Sequence, residues 1–115
     1  MKRRALEGKA LRRFMVQRPR GTRDFGSTEM KRRLAFESLL EDQARRHGFS
    51  RVQTPIFESL DLFTAKSGPG VVSQLYAFQD KGERDLTLRP ELTAPVMRMV
   101  AEELRNETKP LRLSY

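Results

Sequence analysis

The stretch Arg84–Arg98, RDLTLRPELTAPVMR, decides how this chain folds around its candidate functional residues. Apolar and polar residues alternate in its first half, the period-two pattern of a half-buried strand. Pro90 has no backbone donor and favours extended geometry in the residue before it, so the strand should end there. We expect Thr93 to be the N-cap of a helix that runs to about Leu104.

Glu91 falls at the corner between this predicted strand and helix. Connections of this kind often present binding groups on a rigid scaffold, which favours a ligand contact by the carboxylate. A negative charge just before a helix also interacts favourably with the helix dipole, and that interaction alone would explain an acidic residue here. The residue types by themselves leave both interpretations open.

Length and composition restrict the class of protein. With 115 residues, of which 37% are hydrophobic and 33% charged, the sequence is typical of a single soluble globular domain. No apolar run is long enough to span a bilayer, so we expect no membrane association, and a cytoplasmic location is compatible with the absence of cysteine. A single histidine, His47, argues against a metal site, and no Walker A or G-x-G-x-x-G phosphate loop is present.

The positive charge is concentrated at the N-terminus. The first 20 residues contain eight Lys or Arg residues and one acidic residue, which is +7 of the net charge of +8. We therefore distinguish a basic N-terminal arm, residues 1–17, from a domain at residues 18–115. The arm could contact nucleic-acid phosphates, which Lys and Arg bind without sequence preference, or it could be a solvated tail.

Helix and strand patterns alternate through the domain. A helix should begin after Ser27 or Thr28 as its N-cap and run to His47, with Gly48 directly after its C-terminus. Residues 49–58 are expected to form a strand that is interrupted by Pro55, because proline cannot occupy a central ladder position.

A helical turn or two should follow and end near a flexible loop at residues 68–70. Strands at residues 75–79 and 85–88 are expected to form a hairpin, and residues 111–115 begin another strand. The pattern predicts the α+β class, with an antiparallel sheet flanked by helices.

Four short segments occur in a fixed order along the chain: residues 18–25 (RPRGTRDF), 62–68 (LFTAKSG), 76–82 (YAFQDKG) and 88–93 (LRPELT). In this order they resemble histidyl-tRNA synthetases, members of the class II aminoacyl-tRNA synthetase family. The helix and strand before Glu58 resemble motif 1 of that class, with Pro55 at the proline of the motif. The similarity covers about residues 16–115 and is greatest to archaeal forms.

The resemblance implies roles for individual residues. Glu91 and Thr93 match the positions at which the family binds the α-ammonium of histidine, and Arg89 would brace the corner. Motif 1 forms the dimer interface of the family, which implies that Pro55 and Phe57 contribute to a homodimer. The implied fold is the N-terminal part of the class II catalytic domain.

The resemblance also implies that the chain is incomplete, because motif 2 of the family would begin near Tyr115. ATP and Mg²⁺ would then be substrates of the complete enzyme, together with histidine and tRNA-His. No catalytic residue is assigned within this chain, and we expect an N-terminal part of a histidine–tRNA ligase that is inactive alone and exposes apolar surface. The alternatives are a non-catalytic paralogue, such as the regulatory subunit of ATP phosphoribosyltransferase, and a dimerisation or RNA-binding fragment.

Overall fold

The computed structural model describes residues 17–115, with the exception of the Lys66 side chain. Residues 1–16, and with them nearly all of the predicted basic arm, lie outside the described residues. The chain divides into two compact units, one ending at Phe36 and the other covering Glu37–Tyr115.

The first helix, α1, covers Ser27–Arg46 and confirms the predicted helix, although it starts one or two residues earlier than predicted because Ser27 and Thr28 are already helical. Gly48 has a φ of +80°, the left-handed conformation expected of a glycine directly after a helix. No residue of α1 is buried, and the expected exposed apolar surface is present on it. The exposed apolar residues of α1 include Leu34, Phe36, Leu39 and Leu40.

The segment around Pro55 forms two strands where one interrupted strand was predicted. Strand β1 covers Ser50–Arg51, strand β2 covers Phe57–Ser59, and they belong to different sheets. The prediction was wrong in this respect. Proline lacks the amide that a continuous ladder needs, so the chain leaves one sheet before Pro55 and enters another after it.

The main sheet is a three-stranded antiparallel sheet in the order β2–β4–β3. Strand β3 covers Ala77–Gln79 and β4 covers Asp85–Leu88, which confirms the predicted hairpin. Glu58 of β2 lies opposite Thr87 of β4. These two side chains are buried, so this face of the sheet is the one that the helices cover.

The hairpin turn is organised by Asp80. Its Oδ1 accepts hydrogen bonds from the backbone amides of Gly82 at 2.8 Å and Arg84 at 3.0 Å. The residue with the left-handed φ, +58°, is Glu83 and not the glycine of the loop. The turn is therefore held by the Asp80 side chain, which satisfies two backbone amides of the loop.

The second helix, α2, covers Leu60–Ser67 and ends at Gly68, whose φ is +77°. A 3-10 helix follows at Pro69–Gln74, where the sequence had predicted a flexible loop. That prediction was wrong, because the fixed φ of proline suits the first position of a helix.

The third helix, α3, covers Thr93–Glu102, and the last strand, β5, covers Leu113–Ser114 and pairs in parallel with β1. Helix α3 packs against α2, and α2 packs against β4. Phe63 of α2 and Val96 of α3 are buried at this junction. The fold is therefore of the predicted α+β class, with a small antiparallel sheet flanked by helices.

Candidate functional site

The Glu91 carboxylate caps the N-terminus of α3. It accepts hydrogen bonds from the backbone amide of Thr93 at 2.6 Å and from the amide of Ala94 at 3.0 and 3.2 Å. These amides belong to the first turn of the helix, where no intrahelical acceptor exists for them. The carboxylate is thus fixed at the positive end of the helix dipole, in a half-buried position.

Thr93 is the first residue of α3, and the prediction that it is the N-cap was wrong. The N-cap position is Leu92, which makes no side-chain cap bond. The carboxylate of Glu91 performs the capping, which leaves the Thr93 hydroxyl available for other contacts. That hydroxyl lies 3.2 Å from the hydroxyl of Tyr115.

Arg89 ties the corner to the segment before β2. Its Nη1 donates to the backbone oxygen of Thr54 at 2.9 Å and to the hydroxyl of Thr54 at 3.0 Å. Its backbone amide donates to the oxygen of Ile56 at 3.0 Å. Because Thr54 is buried, these bonds give the corner a rigid neighbour.

A cavity of about 190 Å³ lies beside the corner and is bordered by Arg89 and Tyr115. Glu91 and Thr93 do not line it. A larger cavity of about 310 Å³ also includes Tyr115, together with residues from α1 and β1. The remaining residues that line the smaller cavity are Arg51, Val52, Gln53, Thr54 and Leu92.

A partly buried ion pair between Glu58 and Arg98 was not predicted from the sequence. Arg98 Nε donates to one carboxylate oxygen of Glu58 at 2.9 Å, and Nη2 donates to the other at 2.8 Å. Glu58 is only 6% exposed. The hydrogen bonds with Glu58 hold the pKa of Arg98 above its usual value. The alternation of residue types gave no signal for it, because Phe57 is the apolar residue of this strand and is exposed, whereas Glu58 is buried.

The two predicted interface residues, Pro55 and Phe57, are both exposed. The Phe57 ring meets that of Phe78 edge to face, with centroids 6.2 Å apart. Phe78 and Leu88 are also more than 40% exposed, so this face of the sheet is apolar and open.

The described part of the chain contains neither a cluster of metal ligands nor a membrane-spanning helix. Between residues 17 and 115, no three or more His, Cys, Asp or Glu side chains are grouped so that they could hold a metal ion. None of the helices described there has both the length and the apolar character needed to cross a bilayer.

A family model and a curated relative both match most of this chain, and both are described as histidyl-tRNA synthetases or histidine–tRNA ligases. The family model described as histidyl-tRNA synthetase matches residues 21–115. The histidine–tRNA ligase of Methanosphaerula palustris is 56% identical over 101 residues, which is 88% of this chain and 25% of the relative.

Solved structures agree with the sequence comparison. The apo histidyl-tRNA synthetase of S. aureus matches with a TM-score of 0.73 and 36% identity, over 86% of this chain and 27% of that one. A Bacillus halodurans protein described as an ATP phosphoribosyltransferase regulatory subunit/histidyl-tRNA synthetase matches with a TM-score of 0.73 and 30% identity, over 89% of this chain and 27% of that one.

The sequence therefore spans about a quarter of the length of the curated relatives that it matches. Within that quarter the match extends over nearly all described elements, from the residues before α1 to β5. The chain belongs to the histidyl-tRNA synthetase family.

Proposed function

We propose that this chain supplies the histidine-binding corner of a histidine–tRNA ligase, which activates histidine with ATP and transfers it to tRNA-His. The observation that carries the proposal is the geometry of the corner in a chain of this family. A carboxylate and a threonine hydroxyl, Glu91 and Thr93, lie together at the start of α3.

In the proposed site, Glu91 binds the α-ammonium group of histidine and Thr93 assists. A hydrogen bond between an ammonium and a carboxylate is stronger than a neutral one, because both partners are charged. The backbone amides of α3 hold the carboxylate in place before substrate arrives, which lowers the entropic cost of binding.

Arg89 has a bracing role in this proposal. Its guanidinium is already engaged by the oxygen atoms of Thr54, which supports a structural role rather than contact with the substrate. We assign no catalytic residue and no metal ligand to this chain. ATP and Mg²⁺ are substrates of the complete enzyme, and the groups that bind them are proposed to lie outside this sequence.

The wider proposal concerns assembly and location. We propose that residues 18–115 form part of a class II catalytic domain and that residues 1–17 are a separate basic arm. The enzyme is proposed to act in cytoplasmic protein biosynthesis.

A homodimer is proposed, with Pro55 and Phe57 in its interface. Both residues are exposed, and Phe57 lies on the open apolar face of the main sheet, which supports this assignment.

A non-catalytic paralogue is the alternative function, and the likeness to the Bacillus halodurans protein is the observation that favours it. Histidine-dependent ATP–pyrophosphate exchange separates the two. The chain would be joined in frame to the remaining three quarters of the Methanosphaerula palustris ligase, with that intact ligase as the control. Exchange by the joined protein would support the ligase. A folded joined protein without exchange would favour the paralogue.

A further inference from the structure

The Glu58–Arg98 ion pair connects the main sheet to α3 at a buried position. Glu58 comes from the middle of β2, and its neighbour across the strands, Thr87, is fully buried. Both carboxylate oxygens of Glu58 are engaged by a single guanidinium. This planar, two-point geometry fixes the direction of the arginine as well as its distance.

Arg98 lies one helical turn after Ala94, whose amide is bonded to Glu91. An α-helix is stiff over so short a distance, so a displacement of α3 at Arg98 also displaces the first turn. The amides of Thr93 and Ala94 are the donors that hold the Glu91 carboxylate. A continuous mechanical connection therefore runs from Glu58 through Arg98 and α3 to the corner.

Arg98 has a second acidic partner, and the two contacts differ in character. Nη1 donates to Glu102 at 2.8 Å within α3 itself. The Glu102 side chain is 61% exposed, whereas that of Glu58 is 6% exposed. A contact within one helix cannot orient that helix against the sheet, so only the bond to Glu58 has a positioning role.

We propose that Arg98 is a positioning residue: its two-point bond to Glu58 sets the place and angle of the first turn of α3, and through it the orientation of the Glu91 carboxylate. The consequence for histidine binding rests on the function proposed above. The orientation of the first turn of α3 does not depend on that function, and it can be measured in this chain without any substrate.

Hydrogen exchange of backbone amides, followed by NMR in the 115-residue chain, tests the proposal. Arg98→Lys keeps the positive charge and removes the two-point geometry. We expect exchange at Thr93 and Ala94 to accelerate by at least about tenfold, roughly the worth of one charge-assisted hydrogen bond. The amide of Leu88, which bonds to the Tyr76 oxygen at 3.2 Å in the sheet, should change by less than about twofold.

Glu102→Gln is the matched control, because it removes the exposed partner of Arg98 and leaves the bond to Glu58. Exchange at Thr93 and Ala94 should stay within about twofold of the wild-type rate. Glu58→Gln is a second variant, in case the chain does not fold with lysine at position 98, and it should give the same selective acceleration.

Two results would overturn the proposal. One is unchanged exchange at Thr93 and Ala94 in a folded Arg98→Lys or Glu58→Gln variant. The other is equal acceleration at these amides and at Leu88, which would mean that the ion pair contributes only to global stability. Failure of the joined protein to catalyse ATP–pyrophosphate exchange would contradict the proposed ligase function. It would not affect the amide hydrogen-exchange result that tests the role of Arg98.

Discussion

Glu91→Gln preserves the shape of the side chain at the corner and removes the negative charge. In the native chain the two carboxylate oxygens accept the amides of Thr93 and Ala94 at 2.6 to 3.2 Å. Glutamine can satisfy them through only one oxygen, because its second polar atom is a donor. The capping loss should therefore destabilise the fold by about 0.5–1 kcal/mol.

The effect on substrate should be larger if Glu91 binds the histidine ammonium. A hydrogen bond to a charged group is worth about 1.5–3 kcal/mol, which corresponds to a loss of roughly 10- to 150-fold in kcat/KM for histidine. Thr93→Val should cost less, about 0.5–1.5 kcal/mol, because it removes only a neutral hydroxyl contact. Both are measured by ATP–pyrophosphate exchange in the joined protein.

Glu103→Gln provides the control for this measurement. Glu103 follows the last turn of α3 and is exposed, so the same chemical change there should leave the exchange kinetics unaltered. A Glu91→Gln protein with a slightly lower melting temperature and wild-type kinetics would refute the anchor assignment. Glu91 would then be only a helix cap.

Three further predictions concern other parts of the chain. Phe57→Asp should weaken self-association in sedimentation at micromolar concentration, because it places a charge on the open apolar face; a monomeric wild-type chain would contradict the interface. Deletion of residues 1–17 should flatten the salt dependence of RNA binding if the arm contacts phosphates, and an unchanged slope would identify it as a solvated tail. The hydrogen bond from the Arg84 side chain lowers the pKa of Asp80 below its usual 3.8, so the hairpin should be stabilised above about pH 3.8 and lose that stability as the pH falls through the lowered pKa. The amide shifts of Gly82 and Arg84 should report this change, and Asp80→Asn should abolish it.

The sequence by itself determined the elements whose signals are local. The hairpin, the end of α1 at Gly48 and the strand-to-helix corner at Pro90 each depend on residues only a few positions apart. Turn and capping residues act through their own backbone or that of near neighbours, so their effect can be predicted without the rest of the fold. The family was also accessible from the sequence, because several motifs occur in the same order over almost the whole domain.

Only the tertiary structure decided which distant groups meet. Arg98 and Glu58 are 40 residues apart, and Arg89 and Thr54 are 35 residues apart, yet these pairs hold the corner against the sheet. The helix cap is a local feature that the sequence left ambiguous, because Thr93 is a typical capping residue but Glu91 performs the capping. A periodic pattern predicts which face of an element is buried, but the partner across that face depends on how the chain returns to it.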